Sequence, residues 1–385
     1  METTVTNSHR SPTSAEARAK YETILSAGRS KVAETLTAME SEFMRRRDLL
    51  VVPAALAFEV NGGVALRVPT GSEGARIERE HIGLTDFSRR QLFDRLGIPG
   101  RYADDLLATA HGDDKVPSEE WAADLLGTNL RTLAANNVKG GRLLLRTVDG
   151  TAKGVLSDTY RRMDASPIYG GFVEEALAQR MVPFGGALTE TRYNVKFLLD
   201  QMYEPIPNEV MLFGASLTTS DYGAGRFELA MFTLRLWCTN GAIGTSLFKQ
   251  VHLGKRLDDT GFSQQTYDLD TQTISSAVRD MVSKGRLVEE GQRVMGLIEA
   301  DAKSGGDLNA ARVLDGLRRK GTLTRGEAAN AEQMYATTMP VEALPQQPGA
   351  WRLSNVLSLL AQSQAGDRAL DFERAAHEVL TVAAA

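Results

Sequence analysis

The sequence predicts an α+β fold, in which an antiparallel sheet with a long hairpin and packed helices is followed by a helical C-terminal region. Three observations carry this. Thr191, Tyr193, Val195, Phe197 and Leu199 alternate with mostly polar neighbours, the period-two pattern of a half-buried strand. Two further strand-like runs, 209–219 and 226–238, flank Tyr222-Gly223-Ala224-Gly225 and read as a long hairpin. After about Asp258 the composition shifts to stretches that favour helix, at 269–302, 307–320, 324–337, 350–363 and 368–383, with Gly305-Gly306 and the segment from Pro340 to Pro348 as breaks.

In chain order, residues 1–17 are polar and Ser/Thr-rich and read as a disordered tail. Residues 18–50 form an N-terminal helix, because Tyr21, Ile24, Leu25, Val32, Leu36, Met39 and Phe43 are spaced as an apolar stripe. The Arg45-Arg46-Arg47 run then suits the carbonyl end of that helix. A mixed α+β core domain spans 51–258. It opens with a meander over 54–81, turning at Asn61-Gly62-Gly63 and at Gly71-Ser72-Glu73-Gly74. Thr85 or Asp86 caps a helix that Gly97 ends, and Pro99 opens a second running through Leu107. This pair reads as a packing unit or as a DNA-reading helix-turn-helix, although Asp104 and Asp105 stand where phosphates would lie.

Trp121 to Asn136 is a short amphipathic helix, and Asp149-Gly150 marks a hairpin. The span from Lys139 to Arg162 holds six cations against two acids, a balance of +4. Such a hairpin fits a solvated sheet edge protected by charge, or a phosphate backbone. A helix follows from Ser166 to about Arg180. Residues 259–385 make the helical C-terminal region.

With 385 residues, 42% hydrophobic and 24% charged, the chain is expected to be globular. No apolar run approaches a membrane span and the N-terminus lacks the apolar core of a secretory signal, so a cytoplasmic protein without a membrane partner is expected. The lone cysteine, Cys238, excludes an intramolecular disulfide and multi-cysteine zinc sites, and the five histidines show no i, i+3 or i, i+4 pair. Beside Trp237 at the end of an apolar run, Cys238 reads as core rather than as a nucleophile. The paired acids Asp104-Asp105, Asp113-Asp114 and Asp258-Asp259 are poor chelates, because adjacent side chains diverge. Phosphate-cradling loops, the G-x-S-x-G elbow and H-E-x-x-H are all missing, so no cofactor and no catalytic residue is assigned. A net charge of −5 argues against a uniformly basic coat but leaves room for a local basic groove.

The cations of the central sheet are the candidates for such a groove. Single-strand binders combine a positive channel with ring faces on which bases stack. Arg192 and Lys196 share one strand face, opposite Tyr193 and Phe197. Arg226, Arg235, Lys249, Lys255 and Arg256 extend that face, Tyr222 at the hairpin tip is a candidate stacker, and Lys139, Arg142 and Arg146 form a second strip. The alternative is that the face is polar only because it is solvated, with Trp237 in the core.

Five motifs carry a resemblance: LGIPGRY (Leu96 to Tyr102), GVLSDTYRRMD (Gly154 to Asp164), TTSDYGAG (Thr218 to Gly225), RLWCTNG (Arg235 to Gly241) and WRLSNVLSLL (Trp351 to Leu360). In this order the set resembles the phage- and plasmid-borne domain-of-unknown-function family 932. That family has no established activity, so the resemblance implies a setting: mobile elements in a bacterial host, often near replication and recombination functions. A strand-rich core with basic faces is also similar, in fold and context, to single-strand annealing proteins of the RecT and Redβ kind. The resulting expectation is a non-enzymatic, homo-oligomeric protein that binds single-stranded DNA. A protein-interaction or assembly role is the alternative, and an enzyme using a carboxylate-bound metal is a third.

Overall fold

The computed structural model describes residues 11–61, 63–73, 76–112, 118–136, 141–238, 240–250, 264–282, 284–305, 308–340 and 343–382. It has the α+β architecture the sequence predicts, with two antiparallel-rich sheets and a helical region towards the C-terminus. The first half runs α1 (Ala15–Arg45), β1 (Arg46–Val51), a 3-10 turn (Pro53–Ala55), β2 (Ala57–Val60), β3 (Val64–Glu73), β4 (Arg76–Leu84), α2 (Asp86–Leu96), α3 (Gly100–His111), α4 (Glu120–Ala135), β5 (Leu143–Val148) and β6 (Thr151–Ser157). The second half runs α5 (Ala165–Ala178), β7 (Met181–Leu188), β8 (Tyr193–Ile206), β9 (Glu209–Thr219), β10 (Phe227–Arg235), β11 (Asn240–Gln250), α6 (Gln264–Met281), α7 (Lys284–Lys303), α8 (Ala310–Arg319), α9 (Arg325–Ala336), α10 (Ala350–Gln362) and α11 (Asp367–Val382).

The first sheet has strand order β1-β5-β6-β4-β3-β2, antiparallel except where β4 meets β6. One face carries α2, α3 and α4, and the shared core includes Leu66, Ile82, Phe93, Leu106, Leu126 and Leu145. Thr85 caps α2 through its side chain, and Gly97 in the left-handed region ends it, as the sequence predicts. The helix pair α2–α3 is therefore a packing unit of this core. The Asp149-Gly150 turn also forms, with both residues at positive φ, but β5 and β6 lie inside the sheet and are not a solvated edge.

The second sheet has order β11-β10-β9-β8-β7. Its register aligns Val195, Leu217 and Leu229 in one row, facing a large core shared with α5, α7 and α10. The opposite face carries Leu198, Leu212, Ala230 and Phe232, packed against Ala17 and Ile24 of α1 and Leu370 of α11. Both faces are thus covered, and every residue of β9 and β10 is buried. The C-terminal helices belong to this core.

Three boundaries differ from the sequence reading. The helix expected over 18–50 spans Ala15–Arg45, with Ser14 capping its start, and Arg46 opens a strand. Only 11–17 of the expected tail lies within the described residues, and Ala15–Ala17 is already the first turn of α1. One helix expected over 269–302 is two, α6 and α7. Gly71, Ser72 and Glu73, expected in the second meander turn, belong to β3 instead, and Gly74 lies outside the described residues. No helix among the described residues is long and apolar enough to cross a membrane.

Candidate functional site

The face of the second sheet that bears Lys196 is closed by α11, and this corrects the expectation of a solvent-exposed basic groove. Lys196 Nζ lies 2.6 Å from both carboxylate oxygens of Glu373 and 4.7 Å from the Phe232 ring centre. Arg192 gives its guanidinium N–H groups to the Ala224 carbonyl, at 2.7 and 3.2 Å, and sits 3.7 Å from Asp367 and Asp371 of α11. Both cations face carboxylates already in place.

Arg235 does not share that face. It belongs to the same side as Leu229 and Leu217, fully buried, with Nε and Nη2 at 2.5 and 2.8 Å from Glu209. Burial alone would depress its pKa, but the Glu209 carboxylate holds it above the ordinary value. Trp351 of α10 donates its indole N–H to the same carboxylate at 3.3 Å. Two motifs quoted for the resemblance, RLWCTNG and WRLSNVLSLL, therefore meet at Glu209. Trp237 is core, as expected, and gives its indole N–H to the Asn208 carbonyl. Cys238 is half-buried, within 3.4 Å of the Arg235 guanidinium.

Arg146 is likewise no phosphate contact: it is 0% exposed, at the centre of a charge cluster between the two sheets. Its guanidinium donates to Asp48 at 2.9 and 3.2 Å and to Asp164 at 2.8 Å. Arg46 pairs with Asp164 and Asp221, each at 2.7 Å, and Arg162 approaches Asp48 at 3.5 Å. Burial pushes the Asp221 carboxyl up to about 6 against the pull of Arg46 and Arg146. Burial opposes ionisation of Asp164 too, but Arg146 and Arg46 outweigh it and hold that carboxyl below its usual range. Opposed shifts of this kind mark catalytic pairs in some enzymes. Here Arg146 and Asp221 are sealed from solvent, and the cluster reads as a structural joint.

Tyr222 is not a stacking platform. It is buried, its hydroxyl donates to Glu42 at 3.0 Å, and Glu42 also accepts from Tyr193 at 3.2 Å and pairs with Lys153. A Cβ at Gly154 would lie 3.2 Å from the Tyr222 backbone, so the small residue lets β6 approach this turn. Arg142 is half-exposed, 3.9 Å from Asp158. Lys139, Lys255 and Arg256 lie outside the described residues.

Two of the expected cations do converge. The sheet register sets Asn194, Thr218, Glu228 and Lys249 in one row across four strands. Lys249 Nζ is 3.3 Å from Glu228, Arg226 is 3.5 Å away, and Arg374 of α11 reaches the other carboxylate oxygen at 3.1 Å. Ser246 donates to Glu228 at 2.6 Å. Burial would raise the Glu228 pKa, yet the Ser246 hydrogen bond and the three cations leave it lowered, so this acid stays ionised. Three cations around one carboxylate leave an excess of two positive charges.

These groups line an open cavity of about 340 Å³, together with Thr245, Gly244, His377 and Glu378. Glu378 is itself paired with Lys320 at the rim. His377 Nδ1 is buried and has no hydrogen-bond partner among the described residues, and a side chain at Gly244 would strike its ring at 2.9 Å. Burial, aided by Arg293, depresses the His377 pKa to about 4, so the ring is neutral near pH 7. The cavity thus offers partly exposed cations, hydroxyls and a neutral imidazole, a donor set suited to an anion.

Sequence reasoning missed Glu228, Arg374 and His377. The one signal was Glu228 itself, an acid set in the apolar run from Phe227 to Phe232. Arg374 and His377 lie on α11, and only the fold brings them to the sheet. Among the described residues no group of three or more His, Cys, Asp or Glu side chains is placed to hold a metal ion. No protein-family model, no curated protein and no solved structure matches this chain, so the site is read from its own geometry.

Proposed function

We propose that the chain is a non-catalytic binding protein for single-stranded DNA that acts as a homo-oligomer in the cytoplasm of a bacterial host. The setting is the one the motif resemblance implies, on mobile elements near replication or recombination functions. The observation that carries the reading is the convergence of Arg226, Lys249 and Arg374 on Glu228 at an open cavity, which leaves uncompensated positive charge where a phosphate can enter. A phosphate oxygen there can accept from the N–H groups of Arg374 and Lys249 that are not turned to Glu228, without uncovering either core. The chain continues from Lys249 into the segment that carries Lys255 and Arg256.

Binding driven by such contacts releases counterions, with a slope of about −0.7 per contacted phosphate in log affinity against log salt for single strands. Fluorescence anisotropy with a labelled oligonucleotide, titrated at low and moderate salt, tests the reading. Saturable binding with a slope near −2 supports three phosphate contacts, and no binding at micromolar protein in low salt removes the proposal.

A second reading, assembly without nucleic acid, is favoured by a different observation. The helix α4 exposes Trp121, Leu125 and Leu133, large apolar side chains of the kind that anchor protein contacts.

A further inference from the structure

We propose that α4 is the surface through which two copies of this chain pair, antiparallel, about a two-fold axis near Thr128. On α4 the apolar face towards the first sheet holds Ala122, Leu126, Leu130 and Ala134. A second apolar row points away from the core: Trp121 is 56% exposed, Leu125 40% and Leu133 37%, at positions i, i+4 and i+12 of one ridge. The fourth member of that ridge, Asn129, donates to the hydroxyl of Tyr102 on α3, itself 40% exposed, so the patch broadens onto the neighbouring helix. Four large exposed side chains on two adjacent helices exceed the scattered single residues normal on a monomer surface.

The flanking charges say which partner fits. The N-terminal half of the exposed face carries Glu120 and Asp124, and the C-terminal half carries Arg131. Asp124 and Arg131 make no ion pair among the described residues of their own chain; the Arg131 guanidinium donates only to Thr128 at 3.0 Å. An antiparallel copy brings acid over cation at both ends of the contact.

Setting Asp124 opposite Arg131 of the copy places the axis between residues 127 and 128, with Trp121 and Leu125 of each copy beside it. The exposed residue at that crossing is Thr128, small enough for two helices to approach closely. A two-fold contact must be self-complementary, and this face has that property. A partner of another kind would have to match the same order of charges by coincidence. The surface is separate from the Glu228 cavity, so either proposal can fail alone.

Sedimentation velocity of the full chain over roughly 1 to 100 µM, a range that covers micromolar dissociation constants, is the primary test. The wild type is expected to be a dimer at the upper end. Leu125→Glu should give a monomer with unchanged circular dichroism. Asp124→Arg and Arg131→Asp should each weaken the dimer at least about tenfold, as expected for like charges opposed across a contact, and the double swap should restore it. In a Cys238→Ser background, Thr128→Cys should oxidise to a disulfide-linked dimer, because the axis brings the two thiols together. A wild type that stays monomeric, a dimer indifferent to Leu125→Glu, or a double swap that fails to restore pairing would each overturn the proposal. The Lys249→Glu variant should dimerise as the wild type does, which separates this surface from the anion cavity.

Discussion

Lys196 on β8 and Glu373 on α11 close on each other with the ammonium nitrogen 2.6 Å from both carboxylate oxygens. This contact makes the polar face of the second sheet an interior. Glu373→Gln should cost about 3 kcal/mol, because it leaves a buried ammonium beside the Phe232 ring without its counter-charge. The double variant Lys196→Met/Glu373→Leu should recover most of that loss, since an apolar pair of similar volume replaces the ions. Urea denaturation midpoints check both, and a double variant no better than the single would show that the pair is not the cause.

The Arg146 joint makes a stronger demand. Removing that guanidinium leaves Asp48, Asp164 and Asp221 with only Arg46 and Arg162 to offset them. Arg146→Met should therefore destabilise the fold by about 3–5 kcal/mol, as the breaking of a buried pair does. Thermal unfolding by calorimetry measures it. Arg142→Met, on the same strip of sequence but half-exposed, should change stability by about 0.5 kcal/mol or less.

Gly28 lets α1 lie directly on β7. A methyl group there would sit 2.4 Å from the Phe184 carbonyl oxygen, and backbone cannot swing aside as a side chain can. Although alanine favours helix, Gly28→Ala should destabilise by about 1–3 kcal/mol through overpacking. Gly316→Ala on α8, where the added Cβ meets nothing, is the control and should be neutral or slightly stabilising.

His377 gives the fold an acid limb. Its folded pKa, about 4, lies below the ordinary 6.5, so the unfolded chain takes up a proton at a pH where the folded chain does not. The stability it contributes is complete above about pH 6.5 and is lost as pH falls towards 4. The shift corresponds to about 3 kcal/mol at most. Stability measured by urea from pH 7.5 to 4 should show this decline in the wild type and a shallower one in His377→Gln. Equal slopes would place the acid limb on other groups.

Much of the fold is legible in local pattern. The alternation from Thr191, the caps Thr85 and Gly97, and the Asp149-Gly150 turn each predict an element that the structure contains. What local pattern cannot supply is the partner of a polar face. Asn194, Lys196, Ser216 and Thr218 are polar, yet all four are buried because α11 and neighbouring strands satisfy them. For the same reason the candidate site was legible only in part: Arg226 and Lys249 are visible as cations, whereas Arg374 and His377 arrive from a helix more than a hundred residues along the chain. The strands β7 and β11 escaped notice because Pro183, Gly185, Gly186, Gly241 and Gly244 have poor strand propensity. Nothing in the sequence marks the break between α6 and α7 with a proline.

The central claim, that the Glu228 cavity contacts a phosphate backbone, is tested most directly by the salt dependence of single-stranded DNA binding in charge-altered variants. Fluorescence anisotropy should give a slope for Lys249→Gln that is shallower than wild type by about 0.7, with weaker affinity at every salt concentration. Arg374→Gln should do the same, and Arg142→Gln should leave the slope unchanged. Binding whose slope is the same in wild type, Lys249→Gln and Arg374→Gln would contradict the account, and would move any nucleic-acid contact away from this cavity.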